Sequence, residues 1–113
     1  VIETKHMFHS ASSFNGDISN WDVSKVVYMI DMFNSASSFN VDISKWDISG
    51  TRNMDKMFYK ASSFAQALSG MWQTSTADQT EMFDGSSGQI CTTIPGKKAT
   101  SLTLATTLGA LNV

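Results

Sequence analysis

A Met-Phe pair returns every 25 residues, and this period constrains the fold of the chain more than any other feature. The pair occurs at Met7-Phe8, Met32-Phe33, Met57-Phe58 and Met82-Phe83. Segments 11–24 and 36–49 are nearly identical, and a third copy keeps A-S-S-F at 61–64 before it diverges. A fixed period in this range predicts a solenoid, in which each repeat forms one turn of a coil and buries its apolar residues against the neighbouring turns.

Each repeat contains two different apolar patterns. The first comprises Ile18, Trp21 and Val23 and returns at 43–48. It has the form L-x-x-L-x-L, which is typical of the strand half of a leucine-rich repeat. Because Trp21 and Val23 alternate with polar residues, the pattern predicts a short strand with Asp22 on its outer side.

The second pattern has helical spacing. Val26, Met29, Met32-Phe33 and Ala36 lie three or four residues apart, and segment 54–61 repeats the spacing. Helix N-caps are predicted just before these runs, at Ser24, Ser49 and Thr74. The predicted fold class is therefore α/β: a leucine-rich-repeat-like solenoid with one short parallel strand and one short helix in each 25-residue turn.

Stacking of about three and a half such turns predicts specific contacts between repeats. We expect ring contacts along Phe14, Phe39 and Phe64, with Trp21 against Trp46. Asn15 and Asn40 recur where the chain turns, so their side chains are expected to bond backbone groups of neighbouring turns.

The domain prediction places the repeat solenoid at 1–87 and a divergent C-terminal capping turn or tail at 88–113. Ala99, Leu102 and Leu104 again have strand-like spacing, which favours a cap because the open end of a solenoid needs a different covering. Aligned by the period, Val1 falls midway through a turn, so we expect a mature product or a piece of a longer array.

Composition excludes several classes of protein. The 113 residues carry a net charge of −2 and contain no run of basic residues. Nucleic-acid-binding proteins usually have a strongly basic surface, so this class is disfavoured. No apolar stretch is long enough to span a bilayer. Cys91 is the single cysteine, so no intrachain disulfide can form, and we interpret it as a small filler near the end of the coil.

The repeat unit M-F-x-x-A-S-S-F-N-x-D-I-S-x-W-D-[VI]-S resembles that of BspA-type leucine-rich-repeat surface proteins, which are common in bacteria, mycoplasmas and protists. The resemblance covers residues 1 to about 87 and is most specific from Met7 to Phe64. It implies a right-handed leucine-rich-repeat-like coil at the cell surface or outside the cell, with a role in adhesion and protein binding. It implies no catalytic motif, cofactor or defined ligand.

Two sets of residues invite a metal-binding hypothesis. His6 and His9 share a helical spacing, but their equivalents in later repeats vary and no third ligand is evident, so two exposed histidines are expected. Stacking would align Asp17 with Asp42 and Asp22 with Asp47 in columns that Ca²⁺ could occupy. Aspartate at a turn also bonds its own backbone without a metal, and we favour that structural role.

The leading functional hypothesis is a binding or adhesion module without catalytic activity or cofactor. It would recognise a protein or glycan through outward side chains of the stacked strands, namely Asn20, Asp22, Lys45 and Asp47. The alternative is a structural accessory subunit or connector held permanently in a larger assembly. An enzyme is disfavoured because the Ser and Asp residues recur as part of the repeat, and no phosphate loop or metalloprotease motif occurs.

Overall fold

The computed structural model describes residues 2–92, which form four short strands and one 3₁₀ helix. The elements in chain order are β1 (Ile2–Glu3), β2 (Val26–Tyr28), β3 (Ala67–Leu68), the 3₁₀ helix (Gly70–Gln73) and β4 (Gln89–Ile90). β1 pairs in parallel with β2, and β3 pairs in parallel with β4. Isolated parallel bridges join Tyr28 to Asn53 and Asn53 to Asp78, which extends the β1–β2 pairing through later repeats.

Successive repeats lie side by side and are joined by backbone hydrogen bonds. The N–H of Phe8 donates to the Met32 carbonyl (2.9 Å), that of Phe33 to Met57 (2.8 Å), and that of Phe58 to Met82 (2.9 Å). Further bonds of the same kind flank each of these. In the first turn, the N–H groups of Thr4, His6 and Ser10 donate to the carbonyls of Tyr28, Ile30 and Asn34. Such evenly spaced bonds between parallel segments are the pattern of a parallel ladder. The described residues therefore form a stack of 25-residue turns.

The prediction of one helix per turn is wrong, because residues 2–92 contain no α-helix. Segment 26–36 begins with β2 and continues through left-handed residues, with φ of 57° at Asp31 and 62° at Ser35. The same two positions are left-handed in the other turns, at His6, Ser10, Lys56, Lys60, Glu81 and Gly85. An L-residue in this conformation cannot continue a right-handed helix.

Consecutive tight turns explain why the apolar spacing imitates a helix. The N–H of Met32 donates to Met29, that of Ala36 to Phe33, and that of Phe39 to Ala36, each bond closing a turn of four residues. Each turn brings one or two apolar residues back to the inside after three or four positions. A chain of such turns therefore has the same apolar period as an amphipathic helix.

The strands predicted at 18–23 and 43–48 are also wrong. In the first of these segments the Trp21 N–H donates to the Ile18 carbonyl (3.1 Å), and the Val26 N–H then donates to Val23 (2.9 Å), so the chain turns there. Ser24 and Ser49 lie in turns and cap no helix, and Thr74 follows the 3₁₀ helix at its C-terminal end. The predicted α/β, leucine-rich-repeat-like architecture is accordingly replaced by a stack of turns with very short strands.

The core is organised around two columns of stacked phenylalanine rings. One column spaces its ring centroids 5.4 to 5.5 Å apart and comprises Phe8, Phe33, Phe58 and Phe83. In the other column, Phe14 lies 6.0 Å from Phe39, which lies 5.8 Å from Phe64, so these predicted contacts are confirmed. The columns also touch each other, at 4.0 Å between Phe33 and Phe39. The columns contain every phenylalanine of the chain.

Buried polar groups join the turns at the sides of this core. The Trp46 indole N–H donates to the Ile18 carbonyl (2.9 Å), and the Trp72 indole N–H donates to Ile43 (3.0 Å). The predicted asparagine contacts are confirmed, because the Asn15 Oδ1 accepts from the Asn40 N–H at 2.7 Å. The two indole bonds satisfy N–H groups that would be costly to bury unpaired.

The described part of the fourth turn ends at residue 92. Its strand β4 lies against β3, with Leu68 paired to Ile90. The predicted strand near Leu102, and all of the predicted capping turn from 93 to 113, lie outside the described residues.

Candidate functional site

Four exposed turns along one side of the stack are each held by an aspartate. The Asp22 Oδ1 accepts from the Ser24 N–H (3.0 Å) and the Ser24 hydroxyl (2.6 Å), and Asp47 makes the same two bonds with Ser49. Asp17 pairs in this way with Ser19, and Asp42 accepts from the Ser44 N–H. We call this surface, made by Asp17, Asp22, Asp42 and Asp47, the aspartate face. Its geometry follows from the D-x-S spacing, since an aspartate oxygen bonds the backbone two residues on.

All four predicted binding residues lie on or beside the aspartate face, but in turns and not on strands. Asn20, Asp22 and Lys45 are exposed, and Asp47 is half-buried. Asn20 and Lys45 follow the serines that pair with Asp17 and Asp42. Their exposure agrees with a surface role, whereas Asp22 and Asp47 also hold the local backbone.

The electrostatics of the aspartate face show which charges come close together. The Ser24 hydroxyl, followed by the Ser24 N–H, lowers the pKa of Asp22 below its usual value, and Ser49 does the same to the pKa of Asp47. The Asp22 carboxylate partly opposes the lowering of the Asp47 pKa, so the two charges are within interaction range. The pKa of Asp17 is lowered mainly by Ser19, with a smaller contribution from Lys45.

Beside the aspartate face, a groove of about 250 Å³ lies where the repeat is broken. Its lining carries five hydroxyl residues, which we call the hydroxyl groove: Ser49, Thr51, Thr74, Ser75 and Thr76. Ile48 and Met71 complete the lining, and Met71 is 46% exposed. An adjoining hollow of about 350 Å³ shares three of these residues and adds Arg52 at its edge. Ser49 connects the groove directly to the Asp47 turn.

Sequence reasoning missed the groove, although the signal was present. In the third turn the tryptophan moves one place, to Trp72, and Met71 takes the position that Trp21 and Trp46 hold earlier. The 3₁₀ helix Gly70–Gln73 accommodates this shift, which keeps Trp72 buried and leaves Met71 at the surface. A departure from a repeat marks a place where something other than stacking determines the residue.

Hydrogen bonds hold two of the groove's hydroxyl groups in place. The described residues that line it include no histidine, cysteine or carboxylate that could act as a general base. The Thr51 hydroxyl donates to the Val26 carbonyl (3.0 Å), and the Ser75 hydroxyl accepts from the Ala77 N–H (3.1 Å). Both side chains are thereby held in place. A ligand would meet fixed hydroxyl groups beside an apolar methionine.

The two candidate metal sites have other partners. His6 Nε2 lies 3.7 Å from an Asp31 carboxylate oxygen, and His9 Nδ1 lies 2.9 Å from the Ser10 hydroxyl. Both histidines are exposed, as expected. Within residues 2–92, no three His, Cys, Asp or Glu side chains converge as metal ligands would. Cys91 is half-buried.

The repeat architecture also identifies the family of the chain. Residues 1–92 match the family model described as "Mycoplasma protein of unknown function, DUF285". The chain belongs to the DUF285 family. The match covers the repeats and the whole range that the structure describes, so the aspartate face and the hydroxyl groove lie within the DUF285 region. No curated protein and no solved structure matches the chain. In the described part of this DUF285 protein, no helix has the length and apolar character needed to cross a membrane.

Proposed function

We propose that this DUF285 protein is a non-catalytic binding or adhesion module of a surface or secreted repeat protein. It recognises a protein or glycan through the aspartate face, with Asn20, Asp22, Lys45 and Asp47, and through the adjoining hydroxyl groove. The resemblance of the repeat to BspA-type surface proteins supports this location and role. The proposal requires no cofactor and no catalytic residue.

The observation that carries the proposal is the groove between Ile48 and Thr76, because it lies where the repeat departs from its pattern. Hydroxyl groups can both donate and accept hydrogen bonds, which suits the hydroxyls of a sugar or the backbone of a peptide. The exposed Met71 offers apolar contact, and Arg52 offers a cation at the edge. A ligand lying along the aspartate face would reach the groove through Ser49. Several modest contacts along one rigid surface can together give useful affinity.

The test compares two exposed threonines of the same turn. Thr76 lines the groove, whereas Thr80 lies outside it, and both side chains are exposed. The labelled protein is applied to an array of defined glycans and immobilised extracellular proteins. We expect wild type and Thr80→Arg to bind the same subset, and Thr76→Arg, which fills the groove, to lose at least tenfold in affinity. Equal binding by Thr76→Arg would remove the groove from the proposal.

A second pair of substitutions tests the aspartate face without dismantling its turns. Asp22→Asn with Asp47→Asn removes two charges but keeps an oxygen that can accept the bonds from Ser24 and Ser49. Weaker binding by this variant supports recognition through the carboxylates. Unchanged binding would assign Asp22 and Asp47 to structure alone.

The alternative function, a structural subunit or connector of a larger assembly, is favoured by a separate observation. Large apolar side chains are exposed on one end of the stack, with Ile2 at 50% and Met7 at 49%. Either a further turn of a longer chain or a permanent partner would cover such a surface. A single stoichiometric protein recovered by cross-linking from the native source would favour this function over the adhesion module.

A further inference from the structure

Asn15 and Gly16 form the one asparagine–glycine step of the chain, and Asn15 joins the first turn to the second. An asparagine side chain cyclises most readily when glycine follows it, because no Cβ then hinders the approach of the next backbone nitrogen. We propose that Asn15 is a site of spontaneous deamidation, at which a neutral amide becomes the carboxylate of an aspartate or an isoaspartate.

Asn15 is exposed to water, and the second turn shows that this position stays exposed with a turn on either side. Its equivalent there, Asn40, lies between two described turns and is also exposed. The N–H groups of Gly16 and of its equivalent Val41 make no hydrogen bond within residues 2–92. The nitrogen that must attack the Asn15 side chain is therefore not held by another group of the described stack.

A hydrogen bond from the neighbouring turn activates the Asn15 amide. The Asn40 N–H donates to Asn15 Oδ1 at 2.7 Å. When the Gly16 nitrogen attacks Asn15 Cγ, negative charge develops on Oδ1. A donor that already points at this oxygen stabilises the tetrahedral intermediate, as the donors of an oxyanion hole do. The bond that joins the first two turns thus also favours cyclisation.

The reaction needs only water and hydroxide. Hydroxide removes the Gly16 amide proton, the nitrogen forms a bond to Asn15 Cγ, and the bond from Cγ to Nδ2 breaks. The departing nitrogen takes up a proton from water and leaves as ammonia, and the product is a five-membered succinimide ring. Water then opens the ring at either carbonyl. One opening gives aspartate, and the other gives isoaspartate, which carries an extra carbon in the backbone.

The second turn supplies an internal comparison. Asn40 Oδ1 accepts from the Ala65 N–H at 2.9 Å, which reproduces the bond that Asn15 receives, and also from Gln66 Nε2 at 3.0 Å. Asn40 is followed by Val41, whose branched Cβ hinders attack by its own nitrogen. Activation of the amide is thus similar at the two sites, and the following residue separates them.

Deamidation would change both the surface and the stack. Either product adds a negative charge two residues before Asp17, beside the aspartate face. Isoaspartate also lengthens the backbone at the point where the Asn40 N–H is bound, which displaces the acceptor of that bond. The contact between the first two turns is then weaker in the modified protein.

The test follows amide loss site by site in the whole 113-residue chain, held at pH 8 and 37 °C and sampled by peptide mapping with mass spectrometry. We expect Asn15 to deamidate at least tenfold faster than Asn40. Gly16→Val copies the sequence of the second turn and should slow Asn15 to about the rate of Asn40. Val41→Gly makes the converse change and should turn Asn40 into a second fast site. Each variant is compared at a circular dichroism spectrum equal to that of wild type.

A comparison with the unfolded chain isolates the contribution of stacking. In concentrated urea the Asn40 N–H no longer bonds Asn15 Oδ1, so Asn15 should deamidate at least as fast in the native protein as in urea at the same pH. The proposal is overturned if native Asn15 keeps its amide while the unfolded chain loses it. It is also overturned if Asn15 and Asn40 react at equal rates, or if Val41→Gly creates no second site.

Discussion

Single residues in the left-handed conformation determine how each turn closes. Lys60 has φ of 56°, and the equivalent position one turn later is Gly85, with φ of 77°. The left-handed conformation costs an L-residue roughly 1 to 2 kcal/mol, and glycine avoids most of this cost. The conformation persists because the Lys60 N–H must reach the Asp84 carbonyl, at 2.7 Å. Bonds between turns thus compensate for local backbone strain.

Lys60→Gly should therefore stabilise the protein, by about 0.5 kcal/mol, although the contact between Lys60 Nζ and the Tyr59 ring (5.3 Å) is lost. The free energy of unfolding is measured by urea denaturation. Lys45→Gly is the matched control, since Lys45 is also exposed but has a negative φ. At position 45, glycine only increases the conformational freedom of the unfolded chain, so Lys45→Gly should destabilise the folded protein by roughly 0.5 to 1 kcal/mol. Equal effects at the two sites would show that the backbone at Lys60 is unstrained.

The aspartates of the aspartate face should make stability depend on pH. The pKa values of Asp17, Asp22 and Asp47 are lowered in the folded state, first by the hydroxyl and then by the N–H of the paired serine. The folded protein thus binds fewer protons than the unfolded chain at these sites. Their contribution is present above the unfolded pKa, about 3.9, and is lost as pH falls through the lowered folded values.

The measurement compares urea midpoints at pH 6 and pH 3. The midpoint of the wild type should fall with pH, and Asp22→Asn with Asp47→Asn should reduce that fall. Asp84→Asn serves as the control, because Asp84 is exposed and lies outside the three turns in which a serine bonds the carboxylate of Asp17, Asp22 or Asp47. An equally large fall in the double variant and the wild type would contradict the assignment of these bonds.

At the scale of elements, the phenylalanine columns are the feature that the sequence predicted most directly. Contacts of Phe14, Phe39 and Phe64 followed from the period alone, because stacked turns place equal positions together. The helices could not be excluded in this way, because turns of four residues and an α-helix share one apolar period. The left-handed backbone conformation of Asp31 and Ser35 distinguishes the chain of turns from an α-helix. Aspartate and serine do not by themselves predict that conformation.

The candidate site was predictable only in part, for the same reason. The structural role favoured for the aspartates agrees with the bonds of Asp22 and Asp47 to their own turns, but Asn20, Asp22, Lys45 and Asp47 were predicted on strands and lie in turns. The hydroxyl groove depends on how the chain accommodates the shift to Trp72, and that shift changes the structure over a whole turn. The resemblance implied a right-handed leucine-rich-repeat-like coil, and it did not reveal that residues 2–92 form no α-helix.

The second phenylalanine column ends against a glycine, which gives a prediction at this scale. A Cβ at Gly88 would lie 2.6 Å from Phe64 Cε2 and 3.1 Å from Phe83 Cε1. Because two packed rings would have to move, Gly88→Ala should destabilise the fold by roughly 1 to 3 kcal/mol.

Thermal unfolding of Gly88→Ala is compared with that of Gly50→Ala, whose Cβ would meet a single atom, the Ser24 carbonyl oxygen at 3.1 Å. We expect a clearly smaller effect at Gly50. A Gly88→Ala variant as stable as wild type would mean that the rings leave room, and that Gly88 does not limit the column.

At the scale of the whole molecule, the described chain is a quasi-one-dimensional structure. Each turn contacts the turns on either side, so stability is approximately a sum over turns and the contacts between them. A substitution on the side of the stack, such as Thr76→Arg, should therefore change binding without separating the turns.

Stacking of turns without α-helices is the central feature of the fold in residues 2–92. Scalar couplings across hydrogen bonds, measured by NMR on labelled protein, join each amide nitrogen directly to its acceptor carbonyl carbon. We predict couplings from Phe33 to Met57 and from Phe58 to Met82, each spanning 24 residues. Couplings from each residue of 29–36 to the carbonyl four positions earlier would instead show an α-helix and would contradict the fold described above.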